Sequence, residues 1–152
     1  MADRAAPERE LDWMREGTAV FTARLTGLSD DDLDAPTPLP GWTRRHVVAH
    51  MGYNARALLR LVHWARTGEQ TQMYESRAAR DAEIEDGALT LSPAELRELT
   101  LGSAAELTKA LDGLSDEHWR TEITTGMGRA VPATEIPWMR CREVWVHAVD
   151  LD

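Results

Sequence analysis

Residues 43–67 carry a long helical pattern that commits this chain to a helical core. Apolar side chains recur there at spacings of three and four residues, which places them on one broad face of an α-helix. The apolar positions are Val47, Val48, Met51, Ala55, Leu58, Leu59, Val62 and Trp64. Thr43 is a suitable N-cap and Gly68 a suitable stop, so the pattern predicts a helix with defined ends.

Three further segments show helical periodicity. Residues 8–28 form one amphipathic pattern, and Ser92 and Glu95 supply the N-cap and the capping-box glutamate of a helix that ends near Gly113. Pro137 can open a last helix that continues to the end of the sequence. Four helices with two long connections predict an all-α four-helix bundle, and 152 residues suffice for one such domain.

The connections between these helices are rich in helix-breaking or polar residues. Residues 28–42 contain three prolines and four aspartates, which predicts a turn followed by extended chain. Residues 69–91 are polar with weak periodicity and predict a loop that could include a short helix. Residues 117–137 contain two glycines, two prolines and a β-branched run, so they predict a loop or a short hairpin before the last helix.

Glu143 and His147 stand four residues apart on the predicted last helix, and His50 lies on the predicted second helix. Side chains at i and i+4 share a helix face, so the carboxylate and the imidazole can close on one metal ion. With His50 they complete a set of two histidines and one glutamate, which is typical of catalytic zinc with a fourth position open. The spacing therefore predicts one site in which these three residues are both metal ligands and catalytic residues.

Other interpretations of these residues stay open on spacing alone. A buried Glu143 could instead pair with Arg140 or Arg142. His50 could be a hydrogen-bonded core histidine, and His46, one turn earlier, could be a ligand, a contact of a ligand or a solvated residue. Two further histidines lack companions at ligand spacing and are expected to be structural or exposed: His63 and His118.

Composition excludes several classes of function. A total of 26 acidic against 17 basic side chains gives a net charge of −9, which would repel nucleic acids and anionic lipid surfaces. No apolar run approaches the roughly 20 residues of a membrane helix, so we expect a soluble protein. The single Cys141 cannot form an internal disulfide, and together with the lack of a signal-peptide pattern this indicates a cytoplasmic protein. We expect the thiol of Cys141 to be buried. Some arginines could meet a small anionic substrate: Arg44, Arg45, Arg77, Arg80, Arg140 and Arg142.

Three stretches carry a resemblance to a known family: GWTRRHVVAHMGYNARALLRLV, YESRAARDAEIEDG and IPWMRCREVWVHAVDLD. Together they resemble the mycothiol-dependent maleylpyruvate isomerase family, a branch of the DinB-like, YfiT-like four-helix metalloproteins. The resemblance implies a DinB-like bundle with a divalent metal, most often zinc, held by His50, Glu143 and His147. It places His46 next to the ligands at most, and Asn54, Asp150 and residues 77–80 at a pocket edge. Of these, Asn54 and Arg80 would contact the cofactor.

The resemblance also implies a reaction. The metal would activate the thiol of mycothiol, whose thiolate would add to the cis double bond of maleylpyruvate; rotation and elimination would then give fumarylpyruvate. If elimination cannot occur, the same site would be a mycothiol S-transferase that conjugates small electrophiles. A third alternative is a metal-binding or ligand-binding module without catalysis.

Family members that isomerise maleylpyruvate continue into a smaller C-terminal domain that contributes to the substrate pocket, whereas this sequence ends at Asp152. We therefore expect residues 1–152 to form a single metal-binding domain, as a monomer or as a homodimer that closes its site by association. The alternative is that the protein has a substrate other than maleylpyruvate, whose carboxylates are held by arginines of this domain.

Overall fold

The computed structural model describes residues 5–152, which form six α-helices and one small antiparallel sheet. In chain order the helices are α1 (Glu8–Thr26), α2 (Arg44–Thr67), α3 (Arg77–Thr90), α4 (Pro93–Asp112), α5 (Asp116–Arg120) and α6 (Ile136–Asp150). The strands β1 (Glu122–Thr124) and β2 (Ala130–Pro132) form a hairpin between α5 and α6, and two short 3₁₀ turns cover Asp31–Asp34 and Ala133–Glu135. None of the helices in this part of the chain has both the length and the apolar character that crossing a membrane requires.

The four long helices α1, α2, α4 and α6 form the predicted bundle. Helix α2 packs mainly against α4, and α1 packs mainly against α6, while a contact between α2 and α6 joins the two pairs. Two clusters of buried apolar side chains fill the interior. One includes Leu58 and Trp119 and extends to the hairpin, and the other includes Phe21 and Val144 at the opposite part of the bundle. The α2–α6 contact is the one that positions the candidate site.

The ends of α2 and α4 are set by short-range capping, as the sequence predicts. At the start of α4, Ser92 Oγ accepts from the backbone N–H of Glu95 at 3.1 Å, and Glu95 Oε2 accepts from the Ser92 N–H at 2.7 Å. At the start of α2, the backbone N–H of Thr43 donates to His46 Nδ1 at 3.1 Å. Gly68 ends α2 with a φ of 79°, a left-handed conformation that glycine adopts without steric cost.

The interpretation of residues 69–91 mainly as a loop is wrong, because residues 77–90 form the 14-residue helix α3. Ser76 Oγ caps this helix by accepting from the Ala79 N–H at 3.0 Å. Its apolar strip is narrow, with only Ile84, Gly87 and Ala88 buried, which explains the weak periodicity. A Cβ atom at Gly87 would lie 2.7 Å from Tyr53 Oη, so any larger residue there would displace the Tyr53 ring that packs against α3. The short hairpin expected before the last helix is present as β1 and β2.

Candidate metal centre and cavity

His50 on α2 and the pair Glu143 and His147 on α6 come together where these two helices touch. His50 Nε2 lies 2.9 Å and His147 Nε2 3.1 Å from the same oxygen, Glu143 Oε2. The two imidazole rings meet edge to face, with centroids 4.9 Å apart. One ligand atom from each residue lies within 4.8 Å of the others, so the three groups could hold one metal ion.

Burial and hydrogen bonding set the protonation of this cluster. Burial favours a neutral Glu143, but the hydrogen bonds from His147 and His50 outweigh it and hold the pKa of that carboxyl well below its usual range. Burial also disfavours a charged His147, yet its bonds to Glu143 and Asp150 raise its pKa. For His50 burial prevails and lowers the pKa. Below the raised pKa of His147, the metal-free cluster is thus an imidazolium at His147, a carboxylate at Glu143 and a neutral His50.

Each histidine has a contact on its second ring nitrogen. His147 Nδ1 lies 2.9 Å from Asp150 Oδ2, one helical turn further along α6. This contact fixes a proton on Nδ1 and leaves Nε2 to face Glu143. His50 Nδ1 lies 3.4 Å from Arg80 Nη2 on α3. Since a guanidinium can only donate, the neutral His50 carries its proton on Nε2 and accepts at Nδ1.

The chemistry and spacing of these donors fit a divalent metal such as zinc. Tetrahedral zinc with bonds of about 2.0 Å keeps its ligand atoms about 3.3 Å apart, close to the two nitrogen–oxygen separations found here. Two imidazoles and a carboxylate are the donor set of many catalytic zinc sites. Zinc-binding histidines commonly donate their other ring N–H to a carboxylate, as His147 does to Asp150. The three residues therefore fit the metal that the resemblance implies.

A buried arginine lies next to this cluster. Arg140 Nη1 donates to the Met51 carbonyl and to Asn54 Oδ1, both at 2.9 Å. Complete burial lowers the pKa of Arg140 to about 10, while nearby Glu143 and Tyr74 act in the opposite direction. Arg140 stays charged at neutral pH, so it adds positive charge beside Glu143 and fixes the orientation of Asn54.

A cavity of about 790 Å³ opens beside the cluster, with His50 and Glu143 in its wall. The rest of the wall comes from α2, the segment before α3, the first turn of α3, the β1–β2 loop and α6. Apolar and aromatic side chains contribute one part of the lining: Met73, Tyr74, Met127, Val131, Trp138 and Met139. A cleft of this size with an apolar lining and a few charged groups is typical of a small-molecule site.

The structure separates the predicted site residues into two groups. Asn54, Arg77 and Arg80 line the cavity, as expected of a pocket edge. Neither Arg140 nor Arg142 forms an ion pair with Glu143 among the described residues. Two arginines considered for an anionic substrate are used elsewhere, since Arg44 donates to the Asp32 carbonyl and Arg45 to the Ala88 and Leu91 carbonyls.

The other histidines and the cysteine lie outside the cluster. His46 Nδ1 caps α2, and its Nε2 contacts Glu85 on α3 at 2.9 Å, so it connects two helices and does not touch the three candidate ligands. His63 contacts Glu69 at 3.0 Å on the surface, and His118 caps α5. Burial raises the pKa of the Cys141 thiol, which makes that group a poor nucleophile.

Some cavity residues escape sequence reasoning. Tyr74, Met127 and Arg129 lie in segments predicted as loops, where periodicity carries no information about what faces a site. The contact of Asp150 with His147 could have been found, because the two residues stand three apart on one helix face. The hairpin loop had no such signal, since its position at the cavity depends on the packing of β1 against α2.

Comparisons with known proteins agree with this architecture. The family model described as the mycothiol maleylpyruvate isomerase N-terminal domain matches residues 4–152. The crystal structure of the mycothiol-dependent maleylpyruvate isomerase is 46% identical, with a TM-score of 0.91 over 95% of this chain and 60% of that chain. The present chain thus spans about three fifths of the length of that enzyme. No curated protein sequence matches significantly.

Two more distant structures share the fold. YfiT from Bacillus subtilis, described as a probable metal-dependent hydrolase with an unusual four-helix bundle topology, is 18% identical with a TM-score of 0.71, over 95% of this chain and 84% of that chain. The sibling lethal factor precursor DfsB is 16% identical with a TM-score of 0.69, over 96% of this chain and 92% of that chain. These likenesses confirm the DinB-like four-helix bundle. The family model that matches residues 4–152 and the 46% identity to the isomerase structure show that this chain belongs to the mycothiol maleylpyruvate isomerase N-terminal domain family.

Proposed function

We propose that this chain is the metal-binding, thiol-activating domain of a mycothiol-dependent enzyme of the maleylpyruvate isomerase type. The observation that carries the proposal is the convergence of His50, Glu143 and His147 beside a cavity large enough for a small molecule, with His50 and Glu143 in its wall. The 46% identity to the mycothiol-dependent isomerase supports the choice of chemistry.

His50, Glu143 and His147 would hold the metal, with zinc as the first candidate, and all three would be catalytic as its ligands. The metal, when bound, would favour the thiolate form of mycothiol. Reversible addition of that thiolate to the cis double bond of maleylpyruvate would leave a single bond that can rotate. Elimination of the thiolate would then give the trans isomer. Glu143 supplies the negative charge of the donor set. Asp150 holds the ring of His147 so that Nε2 faces the cluster.

The cavity would bind the two organic partners. Arg80 and Asn54 line the cavity on the side of His50, and we propose them as contacts for mycothiol. Arg140 keeps the Asn54 amide in one orientation by donating to its oxygen. The side chains of Trp138 and Met139 cover part of the wall and would exclude water from the reacting groups.

A mycothiol S-transferase is the second candidate, because the cavity and the donor set would serve thiol addition to other electrophiles equally well. The two functions differ in their products. An isomerase regenerates free mycothiol and yields a trans isomer of the same mass, whereas a transferase consumes the thiol and forms a conjugate. Mass spectrometry of the reaction mixture distinguishes them.

The first experiment measures zinc binding and activity in three variants: His50→Ala, Glu143→Gln and His147→Ala. We expect about one zinc ion per chain in the wild type and loss of zinc and of thiol-dependent turnover in each variant. His63→Ala is the matched control, because His63 contacts only Glu69 on the surface. Unchanged zinc content in all three variants would refute the site. Zinc binding without turnover of any thiol and electrophile would support the third candidate, a non-catalytic binding module.

A further inference from the structure

Three arginines in the cavity wall have side chains without a partner. Arg77 comes from the first turn of α3, Arg129 from the β1–β2 loop and Arg142 from α6, so distant parts of the chain bring them to one cavity. Within residues 5–152, none of their guanidinium groups forms a hydrogen bond, an ion pair or a ring contact. We call these three residues the arginine group.

Most other arginines of the chain have partners. Arg15 pairs with Asp112, Arg24 with Asp152 and Arg97 with backbone carbonyls of α1 and the following turn. Such pairing is easy in a chain with 26 acidic side chains. Three basic side chains among the described residues are also unpaired but lie outside the cavity: Arg66, Lys109 and Arg120. They serve below as controls.

The charge around the cavity favours an anion. Four arginines line it, the arginine group and Arg80, against three glutamates: Glu75, Glu135 and Glu143. Glu143 is already engaged by two histidines, and buried Arg140 adds a further positive charge nearby. A metal at the cluster would increase the positive potential further. The planar fork of a guanidinium matches the two oxygens of a carboxylate, so arginine is the side chain best suited to hold one.

We infer that the arginine group binds the carboxylates of a small dianionic ligand whose carbon skeleton lies against the apolar lining of the cavity. The inference rests on the proposed function, because it concerns the same cavity and the dianionic substrate proposed for it. It goes beyond that function by assigning the carboxylate contacts to Arg77, Arg129 and Arg142.

The test uses maleate as the probe, with its uncharged dimethyl ester and inorganic sulfate as comparisons. Binding to the zinc-treated full chain is measured by calorimetry and by amide chemical shifts. We expect maleate to bind, the ester not to bind, and sulfate to bind at least tenfold more weakly. In Arg77→Gln and Arg142→Gln the Kd of maleate should rise roughly tenfold, as expected for the loss of a charge-assisted hydrogen bond.

Arg66→Gln and Arg120→Gln are the matched controls and should leave the Kd of maleate unchanged. All four side chains are unpaired, so none of the substitutions removes a contact that stabilises the fold. Equal losses in the controls, maleate binding no tighter than sulfate, or no maleate binding by the wild type would overturn the inference.

The design also separates this inference from the proposed function. Zinc content is measured in every variant and should be unchanged by the arginine substitutions. Thiol-dependent turnover without arginine-dependent maleate binding would sink the anion site and leave the proposed function standing. Arginine-dependent maleate binding in a chain that takes up no zinc would support the anion site and refute the proposed function.

Discussion

Gly17 on α1 packs tightly against Val144 and Trp145 of α6, and replacing it by alanine tests how this contact supports the candidate site. A Cβ atom at position 17 would lie 2.5 Å from Val144 Cγ2 and 2.7 Å from Trp145 Nε1. Real contacts of that kind are longer than 3 Å, so the side chains of Val144 and Trp145, or the helix α6 that carries them, must move away from α1. The indole N–H of Trp145 also donates to the Trp13 carbonyl at 3.0 Å, and the movement would strain that bond.

The magnitude follows from three contributions. Overpacking of a well-packed contact costs about 1–3 kcal/mol. Weakening the Trp145 hydrogen bond costs about 1 kcal/mol. The higher helix propensity of alanine returns about 1 kcal/mol. We therefore expect Gly17→Ala to lower the free energy of unfolding by roughly 1–3 kcal/mol. Because α6 carries Glu143 and His147, zinc affinity should fall as well.

The assay is urea unfolding followed by circular dichroism, with zinc affinity measured in parallel. Gly102→Ala is the matched control, because Gly102 is exposed within α4 and no atom lies within 4 Å of its Cβ position. That control should raise the free energy of unfolding by up to about 1 kcal/mol. The reasoning would be refuted if Gly17→Ala were as stable as the wild type while Gly102→Ala behaved as expected.

Three further predictions concern the candidate centre. Zinc binding at about pH 6 should release about one proton, because the imidazolium of His147 must lose its Nε2 proton to bind metal. Calorimetry in buffers of different ionisation enthalpy measures the number of protons released. If no proton were released, the protonation assigned to His147 would be wrong. Zinc should also move the His50 proton from Nε2 to Nδ1. Arg80 would then be displaced, since two donors cannot share a hydrogen bond. The NMR chemical shifts of the ring nitrogens report the tautomer, and an unchanged tautomer would refute this prediction. In the metal-free protein, the lowered pKa of Glu143 contributes stability that is present above the ordinary glutamate pKa and is lost as pH falls below it. Glu143→Gln should therefore flatten the acid limb of the stability curve, and an unaltered limb would show that the carboxylate is not held by the histidines.

The helix ends and the ligand pair on α6 could be predicted because they depend on short-range geometry. The caps at Thr43 and Ser92 act within three residues, and Glu143 and His147 share a face at a spacing of one helical turn. The full length of α3 could not be predicted, because only Ile84, Gly87 and Ala88 are buried and so narrow a strip gives weak periodicity.

Sequence alone determined that this chain is a helical bundle with histidines and a carboxylate at ligand spacing. Only the tertiary structure decided that His50, 93 positions before Glu143, lies 2.9 Å from that carboxylate. It also decided that Arg80 faces His50 and that the β1–β2 loop brings Arg129 to the same cavity. The physical reason is that periodicity specifies which face of a helix is apolar, whereas the packing of α2 against α6 determines which polar side chains on those helices meet.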